Sequence, residues 1–200
     1  KPIILSTGMN DIESISISVK ILEKSNADFA LLHTTSMYPT PYEKVRLGAL
    51  SDLSKHFPNV VIGLSDHSIG NYTCFGAVPL GASILEKHFT SDKTWPGPDI
   101  PISIDPFELK NLIEGSKAIH QSLNGEKKIL LEEKPTINFA YACVVSIKQI
   151  KKGEKLSKEN IWVKRPGNGK IFALDFDQVL NKVATLDISK DSQLDWNMFE

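Results

Sequence analysis

Cysteine is scarce in this sequence: Cys74 and Cys143 are the only two. A disulfide framework is therefore excluded as the basis of the fold. Both lie in apolar stretches, TCFGAV and YACVVS, and are expected to be buried, reduced thiols of the kind found where disulfides are rare. An excess of either charge is also missing, since 23 Lys and Arg face 24 Asp and Glu and leave a formal net charge of −1. That balance gives no electrostatic footing for a nucleic acid or an anionic membrane as partner. No apolar run approaches the ~20 residues of a membrane span, and no secretory signal is visible, so a cytoplasmic protein is expected. What remains is an ordinary globular composition, 41% hydrophobic and 24% charged over 200 residues. That is enough chain for one or two domains with a sizeable core.

Four short apolar segments each run into polar residues at their C-terminal end: IILSTGMN, FALLHTTSMYPTP, VVIGLSDHS and ILEKHFT. Strands alternating with helices, each strand ending in chemically capable side chains, is the grammar of a β/α barrel, whose functional groups collect at the carboxyl rim. Strands are predicted at residues 3–5, 29–33, 60–64 and 83–88, and helices at 10–26, 47–56, 70–80 and 107–123. Asn10 and Glu13 are spaced as a capping box for the first helix. The stretch SISISV alternates with period two, but Ile12, Ile15, Val19 and Leu22 also fit one helical face, and helix is preferred. These units amount to the second half of a (β/α)8 barrel over residues 1–123. The first half, with any site residue on it, would then lie outside the chain, and residues 1–200 alone are expected to be inactive. A polar linker over 124–140 follows. Beyond it come short strands and turns in which IKKGEKL (150–156) echoes ISKDSQL (188–194), which predicts a small pseudo-symmetric β domain over 141–200.

Chemistry concentrates at the strand ends. His67 and His88 close two neighbouring strands, and parallel strands run ~4.8 Å apart, so two imidazoles at matching height can share one ion. Taken singly, each is an ordinary hydrogen-bonded rim histidine; together on consecutive strands they point to a divalent metal site. Glu86 shares a strand face with His88, and Asp99 can reach over from a proline-rich loop. Ser6, Thr7 and Gly8 precede a helix start, where hydroxyls and free N–H groups can seat an anion or serve merely as a cap. Ser36 and Ser65 occupy equivalent places after the next two strands, which favours a phosphate-bearing ligand. Tyr38, in the Tyr38-Pro39-Thr40-Pro41 turn, can stack on or hydrogen-bond a substrate, or be simply a turn aromatic. His33 lies inside an apolar strand and is expected in the core or behind the site, while His56 and His120 fall on surface helices. Arg165, on a Pro-Gly turn, is suited to clamp a carboxylate or phosphate. Gly167 and Gly169 beside it are expected to serve positive φ.

The motifs STGMN, YPTPYEKVRLGAL, GLSDHS, EKHFT, GPD, EKPT and WVKRPGNG occur here in an order and spacing that resembles the bacterial sialic acid synthase family, which includes N-acetylneuraminate, legionaminate and pseudaminate synthases. The resemblance spans essentially all 200 residues and implies that the C-terminal part is an antifreeze-like (SAF) β-clip domain. It implies a metal-dependent condensation of phosphoenolpyruvate with an N-acetylated aminosugar, such as N-acetylmannosamine or a 2,4-diacetamido sugar. The products would be a sialic-acid-type nonulosonate and phosphate. The metal implied is Mn2+, with Mg2+ or Co2+ as alternatives, held by His67 and His88. Ser6, Ser36, Ser65 and Thr136 would contact phosphoenolpyruvate. Tyr38, Asp99 and Phe139 would line the sugar site, with Glu86, Asp99 and Tyr38 the candidate catalytic groups. Arg165 would enter the barrel of a second copy in a domain-swapped homodimer. The chain departs from the family at Thr34-Thr35-Ser36, at Ile100 and at Asn181-Lys182, the last a place where Asn tolerates left-handed backbone. Two rivals remain: another metal-dependent barrel aldolase or hydrolase, and a non-enzymatic ice- or ligand-binding module. The charges of Lys151, Lys152, Lys155, Lys158 and Glu159 argue against the flat, uncharged face an ice-binding module needs.

Overall fold

A computed structural model describes residues 1–200 and divides them into two compact units, Lys1–Gly125 and Glu126–Glu200. In the first, β1 (Ile3–Ser6), β2 (Phe29–Thr34), β3 (Val61–Asp66) and β4 (Ile84–Lys87) form one parallel sheet in sequence order. Between and after them run α1 (Ile12–Lys24), α2 (Tyr42–Val45), α3 (Ala49–His56), α4 (Tyr72–Ala77) and α5 (Pro106–Ser122). The core forms where apolar faces of these helices meet one face of the sheet: Ile15 and Val19 of α1, Leu50 and Leu53 of α3, and Cys74 and Ala77 of α4 pack with Leu31, Ile62 and Leu64. This is the α/β arrangement of half a β/α barrel, with every strand pointing the same way and every strand end at one rim.

Local signals explain the element boundaries, including those that differ from expectation. The first helix is capped by Asp11 and Ser14, not Asn10 and Glu13: Asp11 Oδ1 accepts from Ser14 N at 2.9 Å and Ser14 Oγ accepts from Asp11 N at 3.1 Å. Asn10 instead donates its side-chain amide to the Gly8 carbonyl at 2.7 Å, so it serves the loop. The helix predicted over 47–56 forms as α3, Ala49–His56, and a separate short helix, α2, precedes it and ends at Arg46 with φ 55°. The next helix tightens from α to a closing 3-10 turn, Val78–Leu80, where Pro79 sits, and stops at Gly81 with φ 95°. The α5 helix starts one residue earlier than expected, on Pro106, with Asp105 and Glu108 as its capping box.

The second unit holds α6 (Lys134–Ala140), β5 (Cys143–Ser146), an antiparallel partner β6 (Ile161–Lys164), and α7 (Phe176–Val179). The stretch expected to be a bare linker thus carries a 3-10 turn, Leu131–Glu133, and then α6, with Pro135 in the first turn where its missing N–H costs nothing. The two echoing heptapeptides pair with each other: Ile150 N donates to Ile188 O at 2.9 Å and Ile188 N returns to Ile150 O at 2.8 Å. Both isoleucines are buried, in a core shared with Val144, Leu156, Ile161 and Leu194. GEKLS forms no strand; it holds one isolated bridge, Lys155 to Val183, flanked by backbone hydrogen bonds from Gly153 N to Ala184 O at 2.7 Å and from Leu156 N to Lys182 O at 2.8 Å.

Gly63 sits mid-strand in β3 because nothing larger fits. An added Cβ would lie 2.5 Å from the Ile84 carbonyl oxygen and 2.5 Å from Leu32 Cδ2. Gly63→Ala is therefore expected to lower stability by about 1–3 kcal/mol, the usual range for overpacking. Thermal unfolding of the variant checks this; an unchanged midpoint would mean that β3 and β4 are not held at this separation.

Candidate active site

Strand alternation sends neighbouring side chains to opposite faces, and the β3–β4 register sets Ser65 opposite Glu86 and Asp66 opposite Lys87. On the face away from the helices, Ser65 Oγ donates to Glu86 Oε1 at 2.7 Å. His67 and His88 follow at the rim, their ring centroids 5.2 Å apart and their planes inclined at 71°. His67 is buried, and its Nδ1 lies 2.9 Å from the Thr35 carbonyl oxygen. A carbonyl only accepts, so Nδ1 carries the hydrogen, and in the neutral ring Nε2 keeps a free lone pair. The His67 carbonyl accepts from Thr40 N at 3.0 Å, and the His88 carbonyl accepts from Ile104 N at 2.8 Å. Asp99 does reach in from the proline-rich loop: its Oδ2 stands 3.7 Å from His88 Nδ1, near enough for attraction but beyond hydrogen-bond length. The Tyr38 ring closes one side, with its centroid 4.1 Å from that of His67 and 6.0 Å from that of His88.

The hydroxyls are divided. Ser36 Oγ rests against Gly8, where any Cβ would overlap it, so the loop after β1 and the loop after β2 touch. Ser6 ends β1 exposed. Thr7 is lost to the pocket, since its hydroxyl donates into the sheet at Leu32 O, 2.9 Å away. The expected anion seat at the start of α1 is also lost, because the Asp11 carboxylate occupies that helix end and repels a second anion. In the second unit, Thr136 and Phe139 stand exposed on α6, and Arg165 is exposed just after β6. Arg165 takes part in none of the ion pairs. The glycines beside it are not there for positive φ, which neither adopts. Gly167 is needed for close approach, since a Cβ would lie 2.5 Å from Tyr141 Cβ. Ion pairs Lys151–Asp187 at 2.9 Å and Lys164–Asp191 at 2.5 Å mark the surface of this unit as charged.

No group of three or more His, Cys, Asp or Glu side chains is placed to hold a metal ion. The two imidazoles are the donor type that an open divalent centre uses, in which the remaining coordination positions would fall to water or substrate. One buried ion pair escapes the sequence reading. On the helix side of the sheet, Lys87 Nζ meets Asp66 Oδ2 at 2.8 Å, both side chains being almost wholly buried. The signal was present as alternation, one ionic residue between each pair of rim residues, Ser65-Asp66-His67 and Glu86-Lys87-His88. Cys74 lies beside this pair; burial and the Asp66 charge push its thiol up to about 12, which leaves it unreactive. His33 is a buried histidine outside the pair, its Nε2 2.7 Å from the Val45 carbonyl oxygen.

Comparison with known proteins came to the same two parts. A model of the NeuB family matches residues 1–128, and one of the SAF domain matches residues 141–200. An uncharacterized protein of Methanocaldococcus jannaschii is 42% identical over 199 residues, covering 98% of this chain and 58% of its own length. The N,N'-diacetyllegionaminic acid synthase of Campylobacter jejuni is 40% identical over 195 residues, covering 96% of this chain and 58% of its own. Among solved structures, the N-acetylneuraminic acid synthetase of Leptospira borgpetersenii in complex with citrate superposes with a TM-score of 0.61 at 36% identity, over 67% of this chain and 47% of that one. The chain thus spans somewhat more than half the length of the curated relatives it matches.

Burial, reinforced by the Arg46 charge and opposed by the bond to Val45, holds the His33 pKa below the ordinary 6.5. The unfolded chain then binds more protons than the folded one as pH falls through 6.5, so the His33 contribution to stability is full above that value and declines below it. His33→Gln keeps a donor for the Val45 carbonyl without the titration. It is expected to flatten the fall in unfolding midpoint between about pH 7 and about pH 5; identical slopes in parent and variant would contradict this.

Proposed function

The chain belongs to the NeuB family, and from that premise we propose that it carries the metal-binding rim of a synthase that condenses phosphoenolpyruvate with an N-acetylated aminosugar. The product is a nonulosonate of the sialic acid type, released with phosphate. The observation that carries this reading is the meeting of His67 and His88, 5.2 Å apart between ring centroids, at the carboxyl rim of a parallel sheet. A barrel aldolase or hydrolase would share that pair, but it leaves the serines near the ends of three successive strands and the SAF domain without a role. A divalent cation, Mn2+ in the first instance, would be held by the two imidazoles and supply Lewis acidity toward the aldehyde oxygen of the open-chain sugar.

The chain's own side chains then have distinct tasks. C3 of phosphoenolpyruvate attacks the aldehyde carbon, water adds at C2, and the C2–O bond breaks to release phosphate and leave the 2-keto acid. Ser6 and Ser36 hydroxyls hold the phosphate-bearing substrate near the strand ends, beside Ser65, whose one hydrogen goes to Glu86. That bond fixes Glu86, whose other carboxylate oxygen is the group available to take a proton from the adding water. Tyr38 lies flat enough against His67, with 32° between the rings, to form a wall for the sugar, and Asp99 offers a carboxylate to its hydroxyls. Holding the two substrates in register supplies several kcal/mol of the barrier reduction. Thr136, Phe139 and Arg165 of the SAF-bearing unit are assigned to substrate as well, Arg165 toward the site of a second copy in a homodimer. Its exposure and lack of an ion-pair partner support that role.

Phosphate release by the intact enzyme tests the reading. It is expected only when phosphoenolpyruvate, an N-acetylated hexosamine and Mn2+ are all present, and His67→Ala or His88→Ala should abolish it. With 18O at the C2–O position of phosphoenolpyruvate, the label is expected in the phosphate. Release without the sugar, or retention of label in the keto acid, would transfer the chain to another class of barrel enzyme.

A further inference from the structure

We infer that Asp66 and Lys87 are positioning residues: their buried ion pair, on the helix side of the sheet, fixes where His67 and His88 stand at the rim. The inference rests on the two-histidine reading above. The ladder between β3 and β4 ends at Asp66 opposite Lys87, so both histidines lie one residue beyond the last paired position. The ion pair is the cross-link immediately beneath them. Lys87 Nζ donates to Asp66 Oδ2 at 2.8 Å and to the Ser68 carbonyl oxygen at 2.5 Å. The residue before His88 therefore grips the two residues that flank His67.

The carboxylate is saturated in turn. Asp66 Oδ1 accepts from Ser68 N at 3.1 Å, and Oδ2 also accepts from Ser68 Oγ at 2.9 Å and Thr73 Oγ1 at 2.7 Å. Thr73 belongs to α4, so the clamp ties the rim to the helix layer. The pair is buried to 2% and 1% side-chain exposure. An apolar pair of similar volume commonly serves stability as well or better, because burying two charges sacrifices their hydration. What the ionic pair adds is direction: hydrogen bonds of fixed length to named atoms on either side of His67. Ligands aligned by such supporting contacts bind metal more tightly than the same ligands left free to turn.

Titration calorimetry of the intact enzyme with Mn2+ alone, paired with thermal unfolding in the absence of metal, separates the alternatives. The variant is the double substitution Asp66→Leu with Lys87→Met, which removes the clamp without leaving a lone buried charge. It is expected to stay folded, with a lowered midpoint because Ser68 and Thr73 lose their acceptor, and to bind Mn2+ about tenfold to a hundredfold more weakly. A folded double variant with Mn2+ affinity within about twofold of the parent, outside that range, would overturn the proposal and make the pair merely structural. Thr73→Val, which deletes one bond to Asp66 at nearly constant volume, decides the matter if the double variant fails to fold: weaker Mn2+ binding with an intact fold supports the proposal, and unchanged binding overturns it. A parent that binds no Mn2+ would instead remove the two-histidine reading itself.

Discussion

The register between β3 and β4 is the constraint on which the site depends. Hydrogen bonds between these parallel strands run to Asp66 and Lys87, so the chains leave the sheet side by side and at the same height. Parallel strands are ~4.8 Å apart, which is why two imidazoles on the next residues come to 5.2 Å between centroids with no loop to bring them together. A slip of one residue would send His67 toward the helices and Asp66 to the rim. The contact between Gly63 and Ile84, too close for any side chain, is the same register seen from lower in the sheet.

Alternation then divides labour between the faces. Toward the helices, Ile62, Leu64 and Cys74 build the core, and the Asp66–Lys87 pair caps it at the upper end. On the other face, Ser65 and Glu86 bond to each other below the histidines. Loops complete the rim: Thr35 fixes the His67 tautomer, Thr40 holds its carbonyl, and Tyr38 stands against its ring. A rigid sheet carrying short, well-bonded loops is the usual way to hold reactive groups to tight tolerances.

Much of this was legible because period-two alternation and strand-end polarity are written residue by residue. The four strands, the meeting of the histidines, the reach of Asp99 and the echo of the two heptapeptides could all be anticipated from the sequence, though not that those heptapeptides pair with each other. Boundaries were harder, since caps are decided by competition. Asn10, Asp11 and Ser14 are all good capping residues, and only the turn geometry gave the role to Asp11. The clamp behind the rim was hidden for a different reason. Asp66 and Lys87 are separated by 21 positions, and a charged residue in a strand reads as solvated until register shows that it faces an opposite charge. Glycine was misread at Gly167, where the demand is for space beside Tyr141 and not for positive φ. Such demands come from distant residues and leave no local mark.

The central claim is that one divalent cation is shared by His67 and His88. Its most direct test is anomalous diffraction at the manganese edge from crystals of the intact enzyme grown with Mn2+. The account predicts a single strong peak at bonding distance from one nitrogen of each ring. A map with no peak between the rings, or with manganese bound elsewhere while His67 and His88 hydrogen-bond only to protein, would contradict it.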